Sequence, residues 1–285
     1  IAVIQYRVMP ELPEVETVAR GLQRRLAGRV IDSVCLVQPR IAHGPHVPCD
    51  DSLRGRRIER IARAGKQVRI SLSGGWTLVV HLGMTGRLIV TAADESPAKH
   101  THLRIAFRGE PVELRFCDPR RFGGVWLVDG NPDEAKGWIG RRIPPVAADP
   151  LRISLAQWRK LIARRRQIKA LLLDQNPLSG VGNIYCDEAL HRAGIHPLTR
   201  AADLSPAASR KLYHALRRVL TEAIALGGSS VSDYRNAQGA PGQFQTRHRV
   251  YGREGQPCRR CRTPIIRLVV AGRGTHICPK CQRLR

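Results

Sequence analysis

The chain has 285 residues, 42% of them hydrophobic, which suffices for two modest domains and a small appendage and excludes a disordered tail or linker. Its 48 Lys and Arg against 23 Asp and Glu leave a formal charge of +25, more than solubility requires, so a polyanion is the expected partner. No apolar run nears the roughly 18 residues that span a bilayer, and no signal-peptide pattern is present, so nucleic acid is favoured over membrane.

The first notable stretch is M-P-E-L-P-E-V-E-T, residues 9–17. If Met9 is the start and is removed, Pro10 carries a free secondary amine, which is a nucleophile; otherwise it is an ordinary imide. Residues 1–9 then read as an upstream extension absent from the active protein. Helical spacing follows over residues 14–27, with Val15, Val18, Leu22 and Leu26 on one face, Pro13 at the start and Gly28 at the end. From residue 30 to about 128 the pattern changes to alternation and short apolar runs, clearest at 68–72, 77–82, 103–107 and 112–116, which predicts an antiparallel β-sandwich.

Residues 131–150 are proline-rich and read as a linker. Helical periods return afterwards. Ser154 is placed to cap a helix, a second fits residues 168–175, a third fits 183–193, and Ser205-Pro206 opens a long one that stops at Gly227-Gly228. The second and third are joined by N-P-L-S-G-V-G, a helix, tight turn, helix unit. Residues 231–244 are polar and read as a flexible loop. The last 39 residues, from Arg247, hold eleven Lys or Arg and one acid, Glu254.

Eight cysteines in a chain of this length do not suggest a secreted disulfide scaffold, and four of them form two C-x-x-C pairs sixteen residues apart: Cys258, Cys261, Cys278 and Cys281. Two short chelate loops bring four thiolates into a tetrahedron around zinc, and the run I-I-R-L-V-V between them predicts a β-hairpin. Four thiolates leave no open position, so the metal is structural. Cys35, Cys49, Cys117 and Cys186 are scattered and read as buried free thiols, in keeping with a reducing cytoplasm.

Other motifs are weaker alone. S-G-V-G-N leads into a helix N-terminus whose free N–H groups, with Asn183, suit a phosphate, and Lys169 with the Arg164-Arg165-Arg166 run adds positive charge nearby. Arg273, in A-G-R-G-T on the hairpin, is open to a phosphate or to solvent. H-L-G-M-T-G, with His81 and Met84, and D-P-R-R-F-G, with Arg120, Arg121 and Phe122, suit entry into a duplex from which a base has been flipped, although on chemistry alone a turn with a core-facing Met or Phe is the better account of each. Lys66, in R-A-G-K, is a phosphate ligand, an amine nucleophile or a surface lysine.

In this order, P-E-L-P-E-V-E-T, R-A-G-K, H-L-G-M-T-G, D-P-R-R-F-G, I-K-A-L-L-L-D-Q, G-V-G-N-I-Y, Y-G-R-E-G-Q-P-C and the four cysteines resemble the bacterial formamidopyrimidine-DNA glycosylase family. P-E-L-P-E rather than P-E-G-P-E favours its oxidised-purine branch over endonuclease VIII. The resemblance implies an α+β multidomain fold: a catalytic β-sandwich with an N-terminal helix at 10–130, a linker at 131–150, a helix-two-turn-helix DNA-binding domain with a lesion-covering loop at 151–246, and a zinc β-hairpin at 247–285. It implies a bifunctional glycosylase and β,δ-lyase acting on 8-oxoguanine and formamidopyrimidines in duplex DNA, with one structural zinc. The roles it implies are Pro10 as nucleophile, Glu11 as acid/base residue, and Lys66 as a contact near the lesion. Met84, Arg120 and Phe122 fill the space of the flipped nucleotide, and Asn183 and Arg273 are phosphate contacts. His81, Arg121 and Lys169 complete the expected DNA-binding set. A damaged-DNA binder without catalysis, if residues 1–9 are retained, and an oxidised-pyrimidine glycosylase are the alternatives. A monomer is the default expectation.

Overall fold

The computed structural model describes residues 9–44, 46–134, 146–231 and 234–284. It divides into two compact units, Ile1–Pro145 with Gly227–Gly242, and Val146–Leu226 with Gln243–Arg285. Most of the expected 1–9 extension and of the 131–150 linker lies outside the described residues. Among those that are described, no helix is long and apolar enough to cross a membrane.

The first unit opens with helix α1, Leu12–Leu26, followed by β1 (Ile31–Leu36), β2 (Ala42–His43) and the single turn α2 (Asp50–Leu53). Seven strands complete it: β3 (Ile58–Ala64), β4 (Gln67–Leu72), β5 (Trp76–His81), β6 (Arg87–Ala92), β7 (Thr101–Phe107), β8 (Val112–Cys117) and β9 (Gly124–Asp129). They form a four-stranded sheet, β1-β7-β8-β6, and a five-stranded sheet, β2-β9-β5-β4-β3. Period-2 alternation turns Leu78 and Val80 of β5, Val125 and Leu127 of β9, and Leu103, Ile105, Leu114 and Phe116 of the other sheet into one core. Val15, Val18, Leu22 and Leu26 of α1 join that core, as their spacing predicts. The sandwich is antiparallel except at β2, where Ala42 and His43 pair in parallel with β9.

The segment Gly227–Gly242 belongs with this unit, not with the helices that flank it in sequence. The Val90 amide donates to the Ala237 carbonyl at 3.1 Å, and Ala237 is fully buried. Gly21 of α1 lets the segment approach, because a Cβ there would stand 2.9 Å from that of Ala237. The loop at the end of the expected 151–246 domain thus packs on the sandwich through small residues. Two cysteine expectations also change, since Cys35 is exposed and Cys49 half-buried, whereas Cys117 and Cys186 are buried.

The second unit contains α3 (Leu155–Ile162), α4 (Ile168–Leu173), α5 (Asn183–Ala193), α6 (Pro206–Ala225) and the strands β10 (Ile266–Val270) and β11 (Arg273–Ile277). Ser154 caps α3 reciprocally with Gln157, each side chain accepting the other's backbone N–H, at 3.2 and 2.9 Å. Helix α4 ends at Leu173, two residues before the expected end, because Gln175 is used to build the turn. Its amide donates to the Leu173 and Val181 carbonyls and its oxygen accepts the Gly180 N–H at 2.9 Å. The antiparallel β10–β11 hairpin closes on Ala271 and Gly272, both at positive φ (52° and 69°), the geometry that matches strand twist in a two-residue loop.

Candidate active site

Pro10 and Glu11 immediately precede α1, and both are buried. Another carboxylate of the same motif holds them there: Glu14 Oε2 accepts the Glu11 N–H at 2.9 Å and Glu14 Oε1 accepts the Ser229 N–H at 2.7 Å. The Tyr234 hydroxyl donates to the Glu14 carbonyl at 3.3 Å, and burial followed by the Glu14 charge pushes its phenol above the usual range. Gly228 sits at φ +85°, and a Cβ on it would stand 2.7 Å from Glu14 Oε1. A glycine is needed there on both counts. In the sequence Glu14 reads mainly as a helix-start acid; its contacts fall more than two hundred residues along the chain, where no local pattern points.

The β3–β4 connection is a two-residue turn, Gly65-Lys66, with Gly65 at φ 56°. The Arg63 guanidinium anchors it to α1, donating to Glu16 at 2.8 Å and to the Gly65 carbonyl at 3.2 Å. Lys66 is half-buried at the turn. Next to it in the sheet, Gln67 pairs with His81, and His81 pairs with Gly124. His81 Nδ1 accepts the Gly83 N–H at 3.1 Å, which leaves Nε2 as the ring's protonated nitrogen in the neutral form.

The loop carrying Met84 and the loop carrying Arg120, Arg121 and Phe122 are locked together. A Cβ on Gly83 would lie 2.4 Å from the Gly123 nitrogen, so the two backbones touch. Asp118, fully buried, is the clasp: its carboxylate accepts from the Thr85 hydroxyl, from the Gly123 N–H at 2.8 Å and from the Arg120 N–H at 3.3 Å. Its carbonyl meets His102 Nε2 at 2.9 Å and the Arg121 N–H at 3.2 Å. Arg121 takes a left-handed φ of 53°, and the Arg120 guanidinium lies over the Phe122 ring at 4.4 Å. Phe122 is 40% exposed, unusual for an aromatic side chain that has a core nearby. Met84 and Phe122 are therefore presented from adjacent tips, and the core-facing alternative does not hold for Phe122. Asp118 heads the D-P-R-R-F-G motif yet received no role from sequence; an acid one proline ahead of paired arginines was the available signal.

In the second unit the structure brings Asn183 and Arg273 together, since Asn183 Nδ2 donates to the Gly274 carbonyl at 2.8 Å, next to the exposed Arg273. Lys169 is a correction. It is fully buried, its ammonium donating to Asp187 at 2.5 Å and to the Thr275 hydroxyl at 2.7 Å, so it cannot meet a phosphate and instead ties α4 and α5 to β11. Asp187 also accepts the His276 N–H at 2.9 Å. Glu188, also buried and also missed, accepts the consecutive N–H groups of Arg249, Val250 and Tyr251 at 2.9 Å each.

The Sγ atoms of Cys258, Cys261, Cys278 and Cys281 lie within 4.8 Å of one another, and none is in a disulfide. The Arg260 and Cys281 amides point at Cys258 and Cys278 Sγ at 3.4 Å, the hydrogen bonding that thiolates on a metal accept. Donor set and spacing fit one tetrahedral structural zinc. The local core, Val250, Cys258, Ile265 and Cys278, is too small to hold the hairpin without it.

A sandwich with a Pro-Glu helix start, a helix-two-turn-helix unit and a four-cysteine hairpin define a zinc-bearing protein of the DNA-repair glycosylase class. Three family signatures cover the chain: the formamidopyrimidine-DNA glycosylase N-terminal domain over residues 9–125, its H2TH domain over 146–235, and the zinc finger found in FPG and IleRS over 255–284. The formamidopyrimidine-DNA glycosylase of Heliobacterium modesticaldum is 45% identical over 281 residues, covering 96% of this chain and all of that one. The crystal structure of the Fpg protein from Thermus thermophilus matches with a TM-score of 0.80 at 44% identity, covering 96% of this chain and 98% of that one. Lactococcus lactis Fpg in complex with DNA containing an abasic site matches with a TM-score of 0.82 at 32% identity, over 96% of this chain and all of that one. The chain belongs to the formamidopyrimidine-DNA glycosylase family.

Proposed function

We propose that this chain excises oxidised purines, 8-oxoguanine and formamidopyrimidines, from duplex DNA and then cleaves the strand by β,δ-elimination, with Pro10 as the nucleophile. The observation that carries this reading is the seating of Pro10 and Glu11 at the buried start of α1 by Glu14. The reading requires the Met9–Pro10 bond to be cut, because only then does Pro10 carry a free amine.

A free proline amine starts from a pKa of roughly 7.7 to 8, so a substantial neutral fraction is available near neutrality. Its lone pair attacks C1′ as the glycosidic C–N bond breaks and the base departs with a proton. Glu11 protonates the ring oxygen, the sugar opens, and the secondary amine is left as an iminium ion. That cation accepts the electron pair when the C2′ proton is removed, and the 3′ phosphate leaves. A second proton loss, from C4′, expels the 5′ phosphate. Met84 and Phe122 fill the vacated stack, Arg120 bonds to the orphaned base, Lys66 contacts the DNA near the lesion, and Asn183 and Arg273 bind backbone phosphates. The chromosome in the cytoplasm is the expected site of action.

End-labelled duplex with one 8-oxoguanine tests the reading. Product strands ending in phosphate on both sides of a one-nucleotide gap support it. Release of the base with an intact strand, or cleavage of thymine glycol duplex in preference, contradicts the lyase or the purine assignment respectively.

A further inference from the structure

Nine residues beyond Asn183 on α5, about 13 Å along the helix at 1.5 Å per residue, lies a second cationic feature. A cleft of about 500 Å³ is lined by Arg192, Arg218, Arg247, Arg249 and Arg259, with Glu222 as its one acid. Glu222 is already committed. It takes both Arg192 guanidinium nitrogens, at 3.0 and 2.8 Å, and the Arg218 Nε at 2.9 Å. Arg259 spends one N–H on the Thr246 carbonyl at 3.2 Å. Among the described residues, the Arg247 and Arg249 guanidiniums have no hydrogen-bond or ion-pair partner. Arg249 is pushed below the usual arginine range, first by burial and then by the Arg192 charge beside it.

Five guanidiniums around one carboxylate repel one another in the free protein, and a polyanion in the cleft removes that repulsion. The planar forks match phosphate, two oxygens of which accept two parallel N–H bonds from one guanidinium. No aromatic ring lines the cleft, so it offers nothing for a base to stack on and reads phosphates alone. We propose that this cleft is a second phosphate-binding site, separate from the one at Asn183 and Arg273, which holds the backbone of another stretch of DNA. Phosphodiester backbone is favoured over a free polyphosphate because the other end of the same helix presents Asn183 beside Arg273 of β11, the phosphate contacts of the proposed function. The inference stands apart from the catalytic reading, since undamaged DNA is its ligand.

The test uses the zinc-loaded full chain and the double variant Arg247→Ala/Arg249→Ala, with Arg247→Gln/Arg249→Gln as a second variant should the first fold poorly. Affinity for a long undamaged duplex is measured across salt, inorganic tripolyphosphate is titrated as the free-phosphate probe, and excision is followed on a lesion duplex of about 12 base pairs, little more than one helical turn. The site predicts a log-log salt slope shallower by about 1.8 for the variant on long duplex, from two lost contacts at about −0.9 each. Excision on the short duplex stays unchanged. If the slope is unchanged while tripolyphosphate binding is lost, the nucleic-acid assignment is overturned in favour of a free polyphosphate. If neither changes, the site itself is refuted.

Discussion

Asp118 shows how one buried carboxylate sets the geometry of residues that never touch it through their side chains. It holds the Met84 and Phe122 tips together by accepting from Thr85, Arg120 and Gly123. In Asp118→Asn the new amide group must face an N–H where the carboxylate accepted one, at a cost of about 1–3 kcal/mol. The expected outcome is a slower excision whose dependence on the base opposite the lesion flattens, measured as rates opposite cytosine and adenine. Lys169 gives a prediction of another kind. Lys169→Met leaves Asp187 buried without its cation, and unfolding in urea should lose about 3–5 kcal/mol. Had Lys169 been a phosphate ligand, the change would fall on DNA affinity and leave stability alone. His248 supplies the pH response. Burial holds its folded pKa down at about 4 against 6.5 unfolded. The unfolded chain therefore binds the extra proton between those values, so this stabilisation is complete above pH 6.5 and is lost as pH falls toward about 4. Unfolding midpoints measured from about pH 7.5 to about pH 4.5 should fall less steeply for His248→Leu.

At the scale of elements, the sequence was readable wherever the apolar residues keep a period. Helix α1 and strands β4, β7 and β8 do so and fall close to where that period puts them, whereas β5 is marked only by a short apolar run. Strand β9 is buried on both faces, Val125 and Leu127 toward the sandwich and Trp126 and Val128 away from it, so no alternation marks it. In β3 the register slips between Ile58 and Arg60, which breaks the period. The catalytic candidates could be found because each sits at a turn or helix start with a distinctive local motif. Glu188 and the Glu14 clasp could not, because their partners are backbone N–H groups that any residue supplies. The metal hairpin was the easiest element to foresee and carries its own prediction. Its core is four residues, so chelation should unfold it and release the Thr275 and Gly274 contacts to α4 and α5. Circular dichroism and DNA titration before and after zinc removal should show lost β structure and binding weakened by about tenfold or more, as the phosphate contact proposed for Arg273 goes with it.

For the whole molecule, charge and chemistry answer different questions. A net +25 directs the chain to a polyanion and explains why affinity should fall steeply with salt, yet it says nothing about reaction. The proposed reaction rests on one peptide bond, since Pro10 is a secondary amine only when Met9 is gone. The measurement that bears on this most directly is borohydride trapping on an 8-oxoguanine duplex, with the attachment point located by mass spectrometry. Protein beginning at Pro10 is predicted to yield a covalent adduct on Pro10, and protein retaining residues 1–9 to yield none. An adduct on Lys66, or equal trapping by both forms, would contradict the assignment of Pro10 as the nucleophile.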